Sequence, residues 1–284
     1  MLLSSIVLLS EAALALYPIL IKSVPTNLGT QLVSRLLTYS VLGFLFASPS
    51  DIQQTWGNAS GLLRTFGLGS ITLLHIASSY FAFSSLPTGI SMSLFYTYPV
   101  FNILGAALFF QESFGLKELL LVAVAFLGAI LVSFAHKNTQ DNLNESVSWK
   151  GISTGILAAL TESAMYFAVR TAKQPDPFYA ILELYPAALP LLLGILFFMK
   201  SPIDFRLSTW TPMILFNSIV GFVGYCLRFY AIPRLSTVVF SLLSFVGVIA
   251  SFIWGYLFVD EIPSSLSVLG GSLIAAAAAF IKTQ

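Results

Sequence analysis

The stretch Leu235–Ile281, "LSTVVFSLLSFVGVIASFIWGYLFVDEIPSSLSVLGGSLIAAAAAFI", decides the fold. It contains two apolar runs and one short polar break, "VDEIPSS". Each run is roughly 20 residues long, which is what an α-helix needs to cross about 30 Å of hydrocarbon. The break carries turn chemistry in its acidic pair, its proline and its serines. The stretch therefore reads as two membrane-spanning helices joined by a tight loop.

The same alternation continues back to the first residue. The 284-residue chain is 57% hydrophobic and only 9% charged, whereas a soluble domain carries about 25% charged residues. So few charges cannot wet the surface of a core this size. Helices are expected at about 2–22, 28–48, 65–85, 88–110, 115–135, 150–171, 178–199, 211–231, 236–259 and 264–281. Breaks such as "SVPTNLG", "ASPSDIQQTWGNAS", "SLPTG", "KQPDP" and "IPRLS" separate them. The fold class is an all-α membrane protein of ten transmembrane helices. The N-terminal run lacks a basic n-region and a small-residue cleavage site, so it reads as a retained first helix.

A polar loop at 138–149 divides the chain into 1–137 and 150–284, five helices each. An odd number per half turns the halves opposite ways in the bilayer. Superposing 80–112 on 229–261 matches Ala82 with Ala231, Leu86 with Leu235, Thr88 with Thr237, Leu94 with Leu243 and Glu112 with Glu261. Inverted repeats of this kind place a substrate site near the midplane, around a central cavity. Lys and Arg are spread evenly between the two sides, so charge bias does not orient the chain.

Leu86–Val132, "LPTGISMSLFYTYPVFNILGAALFFQESFGLKELLLVAVAFLGAILV", has the same layout as the opening stretch. In both, an apolar helix exits at a glutamate, Glu112 or Glu261, and a short loop leads into a small-residue-rich helix. The pair resembles the closing segments of EamA-type carriers of the drug/metabolite transporter superfamily. Pro99 matches the mid-helix proline of that pattern, and Val248 departs from it in the second copy. The resemblance implies ten helices, a cytoplasmic N-terminus and a cavity lined mainly by helices 1, 3, 4, 6, 8 and 9. Members export amino acids and other metabolites, and relatives carry nucleotide sugars and phosphorylated sugars.

Charges inside apolar runs cost at least about 2.5–3.5 kcal/mol on insertion scales, so each needs a partner, a wet cavity or a neutral form. Glu11 lies mid-helix in "LLSEAALALYPILIK" and Glu162 mid-helix in "ALTESAMYFAVRTAK". Their equivalent placement makes both candidate carboxyls for binding a cationic group or carrying a proton. The competing reading is a protonated carboxyl that glues helices together. His75 shares a helix face with Ser78 and Ser79, either as a cavity hydrogen bonder and proton group or as a helix contact. Arg228 and Glu183 fall at similar depth, which makes them a possible gate or structural pair. Arg35 reads as a snorkelling side chain.

In "LFYTYP", Pro99 leaves the carbonyl of Phe95 without its helical donor and bends the helix. Tyr96, Tyr80 and Tyr166 could flank a substrate, with interfacial or buried packing as the alternative. Ser241 and Ser244 could face the cavity. Gly247, Ser251 and Gly255, and likewise Gly271, Ala275 and Ala279, read as close-packing stripes. Glu112 and Glu261 read as loop chemistry at helix starts.

A net charge of +1 gives no basic face for nucleic acid. The lone Cys226 excludes an internal disulfide, and His75 and His136 are too scattered for a metal site. There is no Walker A sequence and no HExxH. Neither cofactor nor metal is expected, and the chain does not read as an enzyme. The expected function is secondary transport of a small polar or amphipathic metabolite by alternating access. An amino acid is the first candidate, with protons as a possible coupling ion. The expected location is a plasma or bacterial inner membrane, with an organelle membrane as the alternative. Alternatives are a nucleotide-sugar or sugar-phosphate carrier, and a membrane enzyme acting on lipid-linked substrates.

Overall fold

The computed structural model describes residues 2–86, 88–137, 149–172, 174–259 and 264–280. All regular structure among the described residues is helical. The first half comprises α1 (Leu2–Leu14), α2 (Tyr17–Ser23), α3 (Leu28–Phe46), α4 (Pro49–Trp56), α5 (Ala59–Ser85), α6 (Thr88–Phe95), α7 (Tyr98–Phe110) and α8 (Leu116–Lys137). The second comprises α9 (Trp149–Arg170), α10 (Pro177–Leu184), α11 (Ala188–Phe198), α12 (Leu207–Phe216), α13 (Val223–Ala231), α14 (Thr237–Ser244), α15 (Val246–Val259) and α16 (Ser265–Ala279). Among the described residues, seven stretches are long and apolar enough to cross a membrane: Leu2–Ser23, Ala59–Ser85, Ser91–Phe110, Trp149–Arg170, Pro177–Phe198, Leu207–Arg234 and Thr237–Phe258. The loop at 138–148, with Glu261, lies outside the described residues.

Several spans are broken rather than straight, and the sequence says where. Pro18, Pro99 and Pro186 each follow a buried tyrosine: Tyr17, Tyr98 and Tyr185. Proline has no N–H to donate and its ring crowds the carbonyl four residues back. The chain responds with a three-residue turn at each site. Leu16 N donates to Ala13 O at 3.2 Å, Thr97 N to Leu94 O at 3.2 Å and Ala188 N to Tyr185 O at 3.0 Å. The first break leaves Ala12 O without its helical donor, and Trp254 Nε1 of α15 supplies one at 2.7 Å. The α14–α15 break has no proline, yet Val248 N still turns back to Phe245 O at 3.0 Å. A π-helical turn at Asn217–Phe222 joins α12 to α13.

Two expectations are corrected at the "ASPSDIQQTWGNAS" break. It folds into α4, capped by a reciprocal Ser48–Asp51 box. The following helix starts at Ala59, not 65, because the Asn58 side chain accepts from Gly61 N at 2.8 Å. These are the residue types that favour a helix start.

The halves interlock: α1 packs on α13, α5 along α9, α7 on α9 and α14, and α8 along α16. Close approach of α8 and α16 depends on Gly128, where a Cβ would stand 2.6 Å from Gly270 O. The buried stripe of α16 includes Gly270, Ile274 and Ala277, while Ala275 and Ala279 are exposed. The stripe expected at Gly271, Ala275 and Ala279 is thus shifted around the helix. Exposed Leu108, Phe109, Phe197 and Phe198 present the apolar surface a bilayer requires.

Candidate functional site

Glu11, just before the α1 break, and Glu162, midway along α9, meet on one arginine. Arg228 Nη2 lies 3.2 Å from Glu11 Oε1 and Arg228 Nη1 lies 2.8 Å from Glu162 Oε1. All three side chains are buried. The flat guanidinium presents several donors in a fixed fork, so one arginine can serve two carboxylates. Its face covers the Tyr98 ring at 4.7 Å, and Nη2 also donates to the Tyr98 hydroxyl.

Tyr96 and Tyr98 both donate to Glu11, at 3.3 Å to Oε2 and 3.2 Å to Oε1. Residues two apart do not share a face of a regular helix. The break before Pro99 rotates the chain between them and brings both hydroxyls to one carboxylate. Gly247 makes room, since a Cβ there would collide with the Tyr96 hydroxyl.

His75 of α5 completes the cluster. Its Nδ1 lies 3.1 Å from Ala158 O and its Nε2 3.1 Å from Glu162 Oε2. A carbonyl only accepts, so the proton sits on Nδ1 of the neutral ring. A hydrogen bond between Nε2 and Glu162 then needs one more proton, on either partner.

The remaining expected residues distribute differently. Tyr80 packs beside Tyr17, ring centroids 6.0 Å apart, next to Arg35. Ser79 and Ser244 turn their hydroxyls onto their own helix carbonyls, Ile76 O at 3.1 Å and Phe240 O at 2.8 Å. Tyr166 stands apart from the carboxylate cluster. It donates to Thr237 Oγ1 at 3.2 Å and accepts from Arg170 Nη1 at 3.1 Å.

Glu183 does not pair with Arg228. Arg64 holds it, Nε to Oε1 at 2.7 Å and Nη2 to Oε2 at 3.2 Å, and Tyr179 donates to it at 3.1 Å. Arg64 lies inside a helix because α5 starts at Ala59 rather than 65. Glu112 is likewise more than loop chemistry. It pairs with Arg170 at 2.8 Å and accepts from Thr237 at 2.9 Å. Both ion pairs join the first half to the second. At the other end of α3 the halves meet through loops. Thr26 Oγ1 donates to Asp204 Oδ2 at 3.2 Å, and Asp204 N donates to Thr30 Oγ1 at 2.9 Å. Hydrogen bonds from Arg206 hold the Asp204 carboxyl well below the usual carboxylate range.

Arg35 is not a snorkelling side chain. It is 2% exposed. Its guanidinium lies 4.4 Å from the Tyr17 ring centre, 5.1 Å from Tyr225, 5.4 Å from Tyr39 and 5.6 Å from Tyr80. Tyr17, Tyr98 and Tyr185 were missed as site residues. The shared signal was the Tyr-Pro pair, which occurs at 17–18, 98–99 and 185–186 and marks each proline break.

Comparison with known proteins matches residues 149–283 to the EamA-like transporter family. The pseudopaline exporter CntI of Pseudomonas aeruginosa is 23% identical over 209 residues, covering 74% of this chain and 71% of that protein. The uncharacterized transporter YdfC of Bacillus subtilis is 24% identical over 190 residues, covering 66% of this chain and 60% of that protein. A crystal structure at 14% identity superposes with a TM-score of 0.73 over 98% of this chain and 96% of its own, a likeness of fold alone. These findings point to a transporter rather than an enzyme, and with its bacterial relatives to an inner-membrane protein. The chain is a multi-pass membrane transporter whose residues 149–283 are similar to the EamA-like transporter family.

Proposed function

We propose that this transporter moves a small zwitterionic metabolite, an amino acid or a close analogue, by alternating access. In this reading α3, α8 and α16 complete ten spans, and 1–137 and 150–284 are two inverted five-helix halves. The observation that carries it is the convergence of Glu11 and Glu162 on Arg228. The two carboxylates come from the first helix of each half, and the arginine comes from α13. Buried charges of this kind are costly, and they mark substrate and proton pathways. A substrate ammonium would compete with Arg228 for the carboxylates, which makes the cluster responsive to cargo. The proton between His75 and Glu162 is the candidate coupling ion. Rocking of the halves would alternately break the Arg64–Glu183 and Glu112–Arg170 pairs at one end and the Thr26–Asp204 contact at the other.

A nucleotide-sugar or sugar-phosphate cargo ranks lower, because Arg228 is already shared by two carboxylates. Export is the proposed direction, after the relative named as an exporter. The test is flux into proteoliposomes from a panel of labelled amino acids, nucleosides, sugars and sugar phosphates. Saturable flux of an amino acid supports the reading. Flux confined to phosphorylated sugars would overturn the cargo class.

A further inference from the structure

The geometry points to Arg35 and its tyrosine cage as the subsite that takes the carboxylate of the transported substrate. This inference rests on the zwitterion reading above and adds a second pole to it. The carboxylates of Glu11 and Glu162 have their cation in Arg228. Arg35 has no such partner among the described residues: no carboxylate pairs with it, and its Nε and Nη2 make no hydrogen bond. The Tyr80 and Tyr185 hydroxyls are buried and unbonded as well. Tyr185 belongs to the same group of rings, 4.5 Å from Tyr39 and 6.0 Å from Tyr225.

Four buried donors without acceptors are what a carboxylate can use. It offers two oxygens and about four lone-pair directions, and it matches an arginine edge bidentately. The protein already uses this edge elsewhere, where Arg64 Nε and Nη2 grip both oxygens of Glu183. A buried cation that touches only aromatic faces has part of its charge stabilised by them. It still lacks the in-plane acceptors that its N–H groups require.

The cage adjoins the carboxylate cluster. The Tyr225 ring is shared, with Arg35 at 5.1 Å and Arg228 at 5.8 Å from its centre. Tyr80 is on the same helix as His75, and Tyr17 on the same broken span as Glu11. A small zwitterion can therefore set its ammonium toward Glu11 and Glu162 and its carboxylate toward Arg35.

The test measures thermal shifts of the purified full chain in detergent with amino acids, their decarboxylated amines, their methyl esters, acetate and benzoate. In the wild type, free acids raise the melting temperature and the amines and esters bind at least ~10-fold more weakly. In Arg35→Gln that preference disappears. Tyr185→Phe and Tyr80→Phe, which remove one hydroxyl each, weaken acid binding while leaving the amines unchanged. These two variants keep the proposal testable if Arg35→Gln does not fold. Acetate or benzoate binding that depends on Arg35, with no amino acid bound, would keep the subsite and overturn the zwitterion cargo. Amino acids that bind Arg35→Gln with the wild-type preference for the free acid would overturn the subsite and leave transport standing. No shift with any carboxylate would also overturn it.

Discussion

Nη1 of Arg228 stands 2.8 Å from Oε1 of Glu162, in a protein interior where Arg228 is 1% exposed. The same guanidinium reaches Glu11 through Nη2. Removing it leaves two buried carboxylates facing each other without a cation. Breaking a buried pair costs about 3–5 kcal/mol. Arg228→Ala is therefore expected to lower the thermal midpoint sharply in detergent. Arg228→Lys keeps the charge but lacks the fork that serves two carboxylates. It should fold better than the alanine variant and still transport poorly. Equal stability of the wild type and Arg228→Ala would remove the ionic cluster from the account.

His75 Nε2 lies 3.1 Å from Glu162 Oε2, a spacing across which an imidazole and a carboxyl can pass a proton. Glu162→Gln fixes that position as neutral. Flux through it should no longer respond to an imposed pH gradient, while wild-type flux does. Proteoliposomes with a buffered interior give the comparison directly. A gradient response of full size in Glu162→Gln would place coupling elsewhere.

Arg64 and Glu183 form a half-to-half pair with Arg64 38% exposed. Glu183 is buried, so breaking the pair costs more than the ~0.2–1 kcal/mol of a fully exposed one. Its effect on transport is therefore read as flux per folded protein. Arg64→Glu and Glu183→Arg are each expected to slow flux, and the double reversal to restore it. Reversing Glu183 together with Arg228 should not rescue, because these two do not touch. Rescue by that second combination would contradict the geometry.

Gly247 gives space to the Tyr96 hydroxyl. Gly247→Ala overpacks this contact and should cost about 1–3 kcal/mol. Adding Tyr96→Phe removes only the oxygen and leaves ring Cζ and Cε1 in the way, so the double variant should recover little of the lost stability. Thermal midpoints of the four proteins form the cycle that checks it.

Asp204 has a folded-state pKa below its unfolded one, because Arg206 stabilises the charged form. Its contribution to the loop tie is present above the unfolded value, about 3.9. It is lost only as pH falls through the lower, folded value. Hydrogen exchange of the 199–206 loop should stay slow on acidification to that unfolded value. Asp204→Asn should exchange faster already at neutral pH.

Depth in the membrane was legible in the sequence, and rotation about each helix was not. Apolar run length and break chemistry located the helical stretches. Glu11, His75, Tyr96 and Glu162 were named from depth and polarity, and the structure brings them together. Glu183 and Arg228 were matched on depth alone, and depth cannot tell which helix faces which. The true partner, Arg64, falls just before the helix expected at 65–85, and the Asn58 cap extends that helix to include it. The cage that holds Arg35 comes from segments far apart in the sequence, so local reading leaves it a snorkelling side chain. Tyr166 is expected to flank a substrate and Ser244 to face the cavity. Tyr166 joins the Arg170–Glu112 network, and the Ser244 hydroxyl donates to Phe240 O beside Tyr98.

The most direct test of the central claim is initial-rate flux of an amino-acid cargo into proteoliposomes holding equal amounts of folded wild type, Glu11→Gln and Glu162→Gln. Each substitution keeps side-chain size and removes one charge from the shared arginine. The account predicts that both variants fold and that each loses at least ~10-fold in rate, about 1.4 kcal/mol in the transport barrier. Wild-type rates in both variants would contradict it.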